Sequence, residues 1–350
     1  MNFSNKSRKV PIGHPNFNIL FIKGLLYLFF VLLVIVSSFK PKPTTKEEVI
    51  NYMKTLGNGS YLFGQVATWV HDENPDMDDP SNWLNKVYKH TGLMPKYGVI
   101  TYDFTDDPFT DSEWNNGVKK MWDNGLIAGV YNFFANPEGG NAFREVCDID
   151  PIFDSGTNPT KTNFYSQMDR MAANLQWLSD QGIPVIYTPF VEQDDNNSKW
   201  HAKDGRENAV NLYRLVHDYF TDTKGLDNII WAFHTRESDG ALEGFYPGDE
   251  YVDILGKSGY GQDLNFPEYE WAVEKKKQGK IIWWAELGIN DRNKPPRDCM
   301  DVLDKLENSY PELAGFVFWS DAGFYNVVGN LNGPEFMADP KIVTLESSKK

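Results

Sequence analysis

Short apolar runs rich in β-branched and aromatic residues recur along the chain and constrain its fold more than any other feature. Eight such runs lie at residues 61–69, 97–104, 126–134, 184–192, 228–234, 251–261, 280–288 and 313–321. They are continuous rather than strictly alternating with polar residues, which is typical of parallel strands covered on both faces. Segments with helical periodicity precede three of the runs, at 163–182, 205–220 and 268–279.

Eight strands that alternate with helices over about 300 residues predict a (β/α)8 barrel, the TIM-barrel fold of the α/β class. A doubly wound open sheet is the alternative with the same order of elements. Its usual glycine fingerprint for a nucleotide is missing, because "NPEGG" at 136–140 is only a loop. We find no later shift in composition and no Gly/Ser-rich linker, so a single barrel domain is predicted over 58–345.

The N-terminus has the layout of an export signal. Basic residues such as Lys6 and Lys23 precede an uncharged apolar run at 24–39. This is the order of a signal peptide, and the run is also about as long as the roughly 17 residues of a minimal membrane span. Residues 1–39 are therefore predicted to be a signal peptide or an uncleaved anchor. The protein is expected to be secreted or extracytoplasmic, with membrane contact only through 24–39 if the signal stays.

Residues 40–57 are predicted to form a linker and a first helix. Thr44 and Thr45 are each followed three positions later by a glutamate, the pattern of a capping box at a helix start. The folded part of the chain is expected to begin there.

Charge and cysteine content limit the partners of the protein. The net charge of -15 argues against nucleic acid, because phosphate binding needs a basic stripe. Cys147 and Cys299 flank no C-x-x-C motif or His cluster, so no zinc site is predicted, and whether the two cysteines pair stays open. No metal or cofactor is expected, and the oligomeric state is left open by the sequence.

Residues at the carboxyl ends of the strands are the candidates for chemistry, because the loops that follow them form the active face of such a barrel. They are Trp69, Asp103, Asn132, Glu192, His234, Tyr260, Glu286 and Trp319. Glu192 ends the fourth predicted strand and Glu286 the seventh. Hydrolysis of a glycosidic bond requires two carboxyl groups. One is protonated and gives its proton to the leaving oxygen, and the other is ionised and attacks the sugar or activates water. A separation of about 5–5.5 Å would make the mechanism retaining.

Several neighbours of the two glutamates are candidates for giving them different ionisation states or for binding a sugar. Tyr260 is expected to hydrogen-bond Glu286 and hold it ionised. Trp284 and Trp319 carry flat faces of the kind that stack on a pyranose, with barrel packing as the alternative for each. Asn132 and His234 are further candidates for substrate contacts.

The sequence around these residues resembles glycoside hydrolase family 26, retaining (β/α)8 glycosidases best known for endo-β-mannanases. "PVIYTPFVEQDDNNSKW" (184–200) is similar to the family's acid/base segment, "FYPGDEYVDILGKSGYG" (245–261) to its sixth strand, "IIWWAELG" (281–288) to its nucleophile strand and "GFVFWSD" (315–321) to its eighth. The resemblance implies Glu192 as acid/base, Glu286 as nucleophile and Tyr260 as the partner of the nucleophile. It implies Trp200 and Trp319 as sugar contacts.

Departures from the mannanase pattern surround the acid/base. The residue before it is typically His and is Val191 here, and the arginine typical before the proline of this strand is Thr188. The polar loop of Asp194, Asp195, Asn196 and Asn197, with His201, offers replacement hydrogen bonds, although a solvated loop is the preferred interpretation.

The resemblance implies an exported, endo-acting retaining β-glycosidase whose partner is a plant or algal polysaccharide. β-1,4-Mannan is the first choice of substrate, and β-1,3-xylan and mixed-linkage β-glucan, which other members of the family hydrolyse, are the alternatives. A non-catalytic, surface carbohydrate-binding protein on a degenerate barrel is the alternative from another functional class.

Overall fold

Eight parallel strands close into a barrel at the centre of the structure. They are β1 (Tyr61–Val66), β2 (Tyr97–Asp103), β3 (Ile127–Phe133), β4 (Val185–Thr188), β5 (Ile229–Thr235), β6 (Ile254–Tyr260), β7 (Ile281–Gly288) and β8 (Gly315–Phe318). Each strand pairs in parallel with the next, and β8 pairs with β1, which closes the sheet. A short strand, β9 (Ile342–Val343), pairs with β1. The predicted (β/α)8 barrel is confirmed, and the open doubly wound sheet is excluded.

Helices precede the barrel and connect its strands. They are α1 (Lys46–Lys54), α2 (Trp83–Thr91), α3 (Asp111–Asp123), α4 (Asp150–Phe153), α5 (Pro159–Asp180), α6 (Trp200–Lys203), α7 (Arg206–Asp218), α8 (Ala241–Gly244), α9 (Tyr269–Lys277), α10 (Met300–Asn308) and α11 (Gly333–Ala338). The three predicted helical segments correspond to α5, α7 and α9. Helix α1 begins with the expected capping box, in which Thr45 and Glu48 each accept a hydrogen bond from the backbone of the other.

The computed structural model describes residues 43–69, 73–105, 108–139, 146–261, 263–320 and 322–349. The segment 1–39, predicted to be a signal peptide or anchor, lies outside the described residues. Among the helices of the described ranges, none combines the length and the apolarity that a membrane crossing requires. The predicted domain boundaries therefore stay predictions.

The strands are continuous apolar runs because both of their faces are covered. Inside the barrel, the rings of Tyr97 on β2 and Trp283 on β7 pack with their centroids 5.2 Å apart. On the outer face of β2, a Cβ added to Gly98 would lie 2.5 Å from Met121 of α3, so this side of the strand is packed against helices. Gly129 on β3 leaves room for Tyr97, whose hydroxyl oxygen would lie 2.1 Å from a Cβ there.

A bulge in β7 interrupts the regular alternation of its side chains. The neighbours Lys257 and Ser258 on β6 pair with Trp284 and Glu286, so that Ala285 is an extra residue on β7. The register with β8 shifts over the same residues. Bulges of this kind change the direction in which the following side chain points.

The bulge turns Glu286 toward the mouth of the barrel. Trp283 points inward, whereas Trp284 points outward and packs against Phe266 and Tyr310, with ring centroids 6.4 and 5.4 Å away. Under strict alternation Glu286 would share the outward direction of Trp284. The extra residue reverses this direction and places the carboxyl group inside.

Candidate active site

A cavity of about 350 Å³ opens at the carboxyl end of the barrel, where the loops after the strands meet. Its lining residues are Trp69, Phe133, Val191, Glu192, Asp195, Ser198, Lys199, Arg236, Glu237, Tyr260, Glu286, Trp319 and Tyr325. The cavity therefore brings together five of the eight strand-end residues predicted from the sequence: Trp69, Glu192, Tyr260, Glu286 and Trp319.

Glu192 lies in a turn beyond β4 rather than at the end of the strand. The predicted strand 184–192 is too long, because β4 ends at Thr188 and is followed by Pro189, which has no N–H to continue a strand ladder. Glu192 has a φ of 53°, in the left-handed region, which costs a non-glycine residue about 1 kcal/mol or more. The next residue fixes the turn, since the Gln193 N–H donates to the carbonyl of His234 on β5 over 2.8 Å.

The carboxyl groups of Glu192 and Glu286 face each other across the cavity. One ligand atom each from Glu192, His234 and Glu286 lies within 4.8 Å of the other two. This brings a carboxylate oxygen of one glutamate close to that of the other, nearer to the spacing of about 5–5.5 Å in retaining glycosidases than to the roughly 6.5–9.5 Å of inverting ones.

Two groups of three Asp, Glu or His side chains within the described ranges have a spacing that a cation would accept. One is this trio in the cavity, and the other is the exposed cluster of Asp148, Asp150 and Asp204. In the cavity, both glutamates already accept hydrogen bonds or an ion pair from the protein, and an exposed acidic cluster is not by itself a metal site.

Two side chains of the barrel mouth hold Glu192 directly, and a third holds one of those two. Lys199 Nζ lies 3.1 Å from Oε2 and forms an ion pair with it. Ser258 Oγ donates to Oε1 over 2.8 Å, and Ser258 in turn contacts His234 Nε2 at 2.9 Å. Because the Ser258 proton points to the carboxylate, His234 Nε2–H is the donor in the second contact.

Glu286 is held from one side and left open on the other. Tyr260 donates its hydroxyl proton to Oε2 over 2.8 Å, as the sequence predicted, and its ring packs edge-on against Tyr325. The other oxygen, Oε1, is buried without a hydrogen-bond partner among the described residues. An atom in that position is available to a ligand.

Burial and mutual repulsion give the two carboxyl groups different pKa values. Burial raises the pKa of Glu286 to about 8, and the nearby charge of Glu192 contributes in the same direction. Burial acts on Glu192 likewise, but the Lys199 ammonium, with His234 and Ser258, outweighs it and holds the pKa of Glu192 below its usual range. The pair thus retains one proton at neutral pH, and in the free protein that proton favours Glu286.

Aromatic residues form one wall of the cavity. The rings of Trp69 and Trp319 lie 4.6 Å apart between centroids, and Trp69 also packs against Phe133 at 5.1 Å. Such a wall offers an apolar surface on which a sugar ring can stack.

The structure corrects the prediction that Asn132 and His234 contact the substrate directly. Asn132 lies on β3 between Tyr131, whose hydroxyl donates to the Ala285 carbonyl across the barrel, and Phe133, which lines the cavity. Alternation along the strand therefore points Asn132 outward. His234 is buried beneath the cavity and reaches it only through Ser258.

The prediction that Trp200 and Trp284 bind sugar is also corrected, because both are core residues. Trp200 is buried, donates its Nε1–H to the carbonyl of Phe134 over 2.8 Å, and packs against Phe164. Trp284 is fully buried on the outer face of β7. Neither has a ring face open to a sugar, since neither lines the cavity.

Several residues of the site carry no direct signal in the sequence. Lys199 sits in a polar stretch that reads as a solvated loop, and Ser258 is recognisable only from its position two residues before Tyr260 on the same strand face. Asp195, from the same polar loop, is buried and accepts hydrogen bonds from Ser198 and Arg236. Asp195 therefore belongs to the cavity wall, whereas Asn196 and Asn197 are exposed, as expected of a solvated loop.

The chain is similar in sequence to characterised polysaccharide hydrolases. It is 28% identical over 302 residues to a mannan endo-1,4-beta-mannosidase of Bacillus subtilis (strain 168), with 79% of this chain and 80% of that protein covered. It is 27% identical to a mannan endo-1,4-beta-mannosidase of Thermothelomyces thermophilus, with 73% of this chain covered and 53%, about half, of that protein.

The chain shares its fold with solved structures, and its sequence matches a known family. The YdhT protein from Bacillus subtilis superimposes with a TM-score of 0.74 at 22% identity, covering 87% of this chain and 94% of the other. Residues 39–326 match glycosyl hydrolase family 26. This match spans most of the chain and includes both cavity glutamates. The chain therefore belongs to glycosyl hydrolase family 26 and is a glycoside hydrolase of a retaining family.

Proposed function

We propose that this enzyme cleaves internal bonds of β-1,4-mannan with retention of configuration, with Glu286 as nucleophile and Glu192 as acid/base. The observation that carries the proposal is the facing pair of carboxyl groups, that of Glu286 buried and that of Glu192 partly exposed, with oxygens within 4.8 Å of each other. The names of the similar mannan endo-1,4-beta-mannosidases support the choice of substrate.

In the first step, Glu286 attacks the anomeric carbon while Glu192 gives its proton to the departing glycosidic oxygen. The C–O bond of the leaving sugar breaks as the bond between Glu286 and the sugar forms. In the second step, Glu192 takes a proton from water, the water oxygen attacks the anomeric carbon, and Glu286 leaves as a carboxylate.

The shared proton must lie on Glu192 when the reaction begins. In the free protein the proton favours Glu286. It must therefore move from Glu286 to Glu192 when the substrate binds. The hydrogen bond from Tyr260 to Glu286 supports the ionised nucleophile, because a donor stabilises the charged form of a carboxyl group.

Sugar binding is proposed to use the aromatic wall and two polar residues after β5. Trp319 and Trp69, which both line the cavity and pack against each other, supply a stacking surface. Arg236 Nε and Glu237 Oε2 are buried in the cavity wall without hydrogen-bond partners among the described residues, so that sugar hydroxyls are suitable partners for them.

Val191 is the residue that supports substrates other than mannan. The side chain lines the cavity next to the acid/base and offers no hydrogen bond where the mannanase pattern has a histidine. β-1,3-Xylan and mixed-linkage β-glucan are therefore the alternative substrates. Export, driven by the basic and apolar residues of 1–39, is part of the proposal.

Hydrolysis of a panel of mannan, β-1,3-xylan and mixed-linkage β-glucan tests the proposed substrate. We expect mannan to be shortened first to intermediate chain lengths, as internal cleavage requires, and Glu286→Ala to abolish this activity. Faster cleavage of xylan or glucan would replace mannan as the substrate. Binding without turnover on all three polysaccharides would instead favour a carbohydrate-binding protein.

A further inference from the structure

A buried lysine stands next to the proposed acid/base. Lys199 lines the cavity, yet only 8% of its side chain is exposed. Its Nζ donates to Glu192 Oε2 over 3.1 Å and to the carbonyl of Val191 over 2.9 Å. A lysine charge is rarely withdrawn from water unless it is paired, so this ion pair is part of the site rather than a surface contact.

The backbone around Lys199 is anchored on both sides. Its N–H donates to the carbonyl of Asp195 over 3.0 Å, within the loop that follows Glu192. The next residue, Trp200, is fixed in the core by its bond to the carbonyl of Phe134. The ammonium group is thus delivered to Glu192 by a fixed segment.

We propose that Lys199 is a positioning residue that orients the carboxyl group of Glu192 and sets the basic limit of the pH range over which the enzyme works. This inference rests on the proposed roles of Glu192 and Glu286. It adds a residue whose charge, rather than any contact with the sugar, tunes the reaction.

The chemistry of the first step explains the advantage of this charge. As Glu192 gives its proton to the glycosidic oxygen, it becomes a carboxylate next to the Lys199 ammonium group. An opposite charge at this distance stabilises the carboxylate and makes Glu192 a stronger acid. The same stabilisation makes the pair lose its last proton at a lower pH, which narrows the active range on the basic side.

Other charged groups around Glu192 are placed differently. Arg236 forms an ion pair with Asp195 and approaches Glu237, and its charge lowers the pKa of Glu192 less than that of Lys199 does. The negative neighbours Glu286 and Asp194 act against ionisation of Glu192. Lys199 is the cation in direct contact with the Glu192 carboxylate among the described residues.

The remaining titratable neighbours stay neutral over the working range. Burial lowers the pKa of His234, and likewise of His201, to about 3. Burial also raises the pKa values of Tyr131 and Tyr260 well above 10. The basic limit therefore reports the last proton of the glutamate pair.

The direct test follows the carboxyl groups by carbon-13 NMR of glutamate-labelled enzyme as a function of pH, with Glu192→Gln to assign the signal. Removing the positive charge in Lys199→Met should raise the higher of the two protonation steps by about one pH unit or more. Lys199→Arg keeps the charge and should keep this step near its wild-type pH. Lys224→Met, which removes a lysine paired with Asp169 away from the cavity lining, is the matched control.

An unchanged protonation step in Lys199→Met would overturn the proposal. If Lys199→Met is unfolded by thermal melting, Lys199→Gln replaces it, because an amide can still donate to the Val191 carbonyl without carrying charge.

The pH dependence of kcat/KM provides the second readout. We expect its basic limb to move upward in Lys199→Met and to return in Lys199→Arg, whereas a purely structural lysine would leave the limb in place. Failure of the wild-type enzyme to hydrolyse any polysaccharide would contradict the proposed function. The NMR titration would still decide whether Lys199 acts on Glu192.

Discussion

Glu286 occupies a position that favours reactivity over stability. Its carboxyl group is 3% exposed, faces another carboxylate, and has its pKa raised to about 8 by burial and by the charge of Glu192. The unfolded chain loses this proton near pH 4.5, whereas the folded chain keeps it, so the free energy of unfolding falls as the pH rises from about 4.5 to 8.

Glu286→Gln should therefore stabilise the protein at neutral pH. We expect a gain of about 1–3 kcal/mol in the free energy of unfolding at pH 7.5 and almost none at pH 4, where the glutamate is protonated in both states. Thermal or denaturant unfolding of both proteins at the two pH values measures this difference. Equal stability at pH 7.5 would show that the carboxyl group is not strained by its surroundings.

The hydrogen bond from Tyr260 is expected to support Glu286, the proposed nucleophile. Tyr260→Phe removes a donor to a charged oxygen, and we expect kcat to fall by about 10- to 100-fold, since such a bond contributes about 1.5–3 kcal/mol. Tyr246→Phe, which removes a hydroxyl bonded to Asp249 outside the cavity, is the control in steady-state kinetics. Similar losses in both variants would mean that the Tyr260 bond has no specific role.

At the scale of the elements, the strands were predictable because burial on both faces leaves a strong mark in the sequence. All residues of β7, for example, are buried, and the run 280–288 predicted it within one residue. The bulge at Ala285 could not be predicted, because it depends on the register of β7 with its neighbours. The turn that carries Glu192 depends in the same way on a hydrogen bond to β5.

Two of the three tryptophans predicted to bind sugar take different positions for the same reason. Trp284 and Trp319 look alike in sequence, but alternation along β7 sends Trp284 to the outer packing layer, whereas Trp319 lines the cavity. Which face a residue takes depends on register, and the register is set by partner strands distant in the chain.

Truncation of these tryptophans should therefore have different effects. We expect Trp284→Ala to lower the free energy of unfolding by about 3–5 kcal/mol through a cavity in the core, with little change in KM for the folded fraction. Trp319→Ala should mainly raise KM. Unfolding curves and steady-state kinetics on both variants distinguish the two roles, and a rise in KM confined to Trp284→Ala would reverse the assignment.

For the whole molecule, the barrel brings residues from seven strand ends into one cavity, although they are scattered from Trp69 to Tyr325 in the sequence. Glu192 and Glu286 were identifiable because a carboxyl group after an apolar run is unusual. Lys199 and Ser258 were not, because only the closed barrel places them beside Glu192.

The proposed export also concerns the whole chain. Expression of the full chain in its host, followed by fractionation and N-terminal sequencing, should place the enzyme outside the cytoplasm. The N-terminus would lie near residue 40 if the signal is removed, and the intact chain would be membrane-bound if it is not. Recovery of the intact chain in the cytoplasm would contradict the prediction from residues 1–39.

Trapping of the glycosyl-enzyme tests the assignment of the nucleophile most directly. A 2-deoxy-2-fluoro mannosyl substrate with an activated leaving group should form a covalent intermediate that accumulates, and mass spectrometry of the digested protein should locate the sugar on the peptide "IIWWAELG" at Glu286. Glu286→Ala should prevent labelling. A stable label on another residue, or hydrolysis of the natural polysaccharide by Glu286→Ala at the wild-type rate, would contradict a double displacement through Glu286.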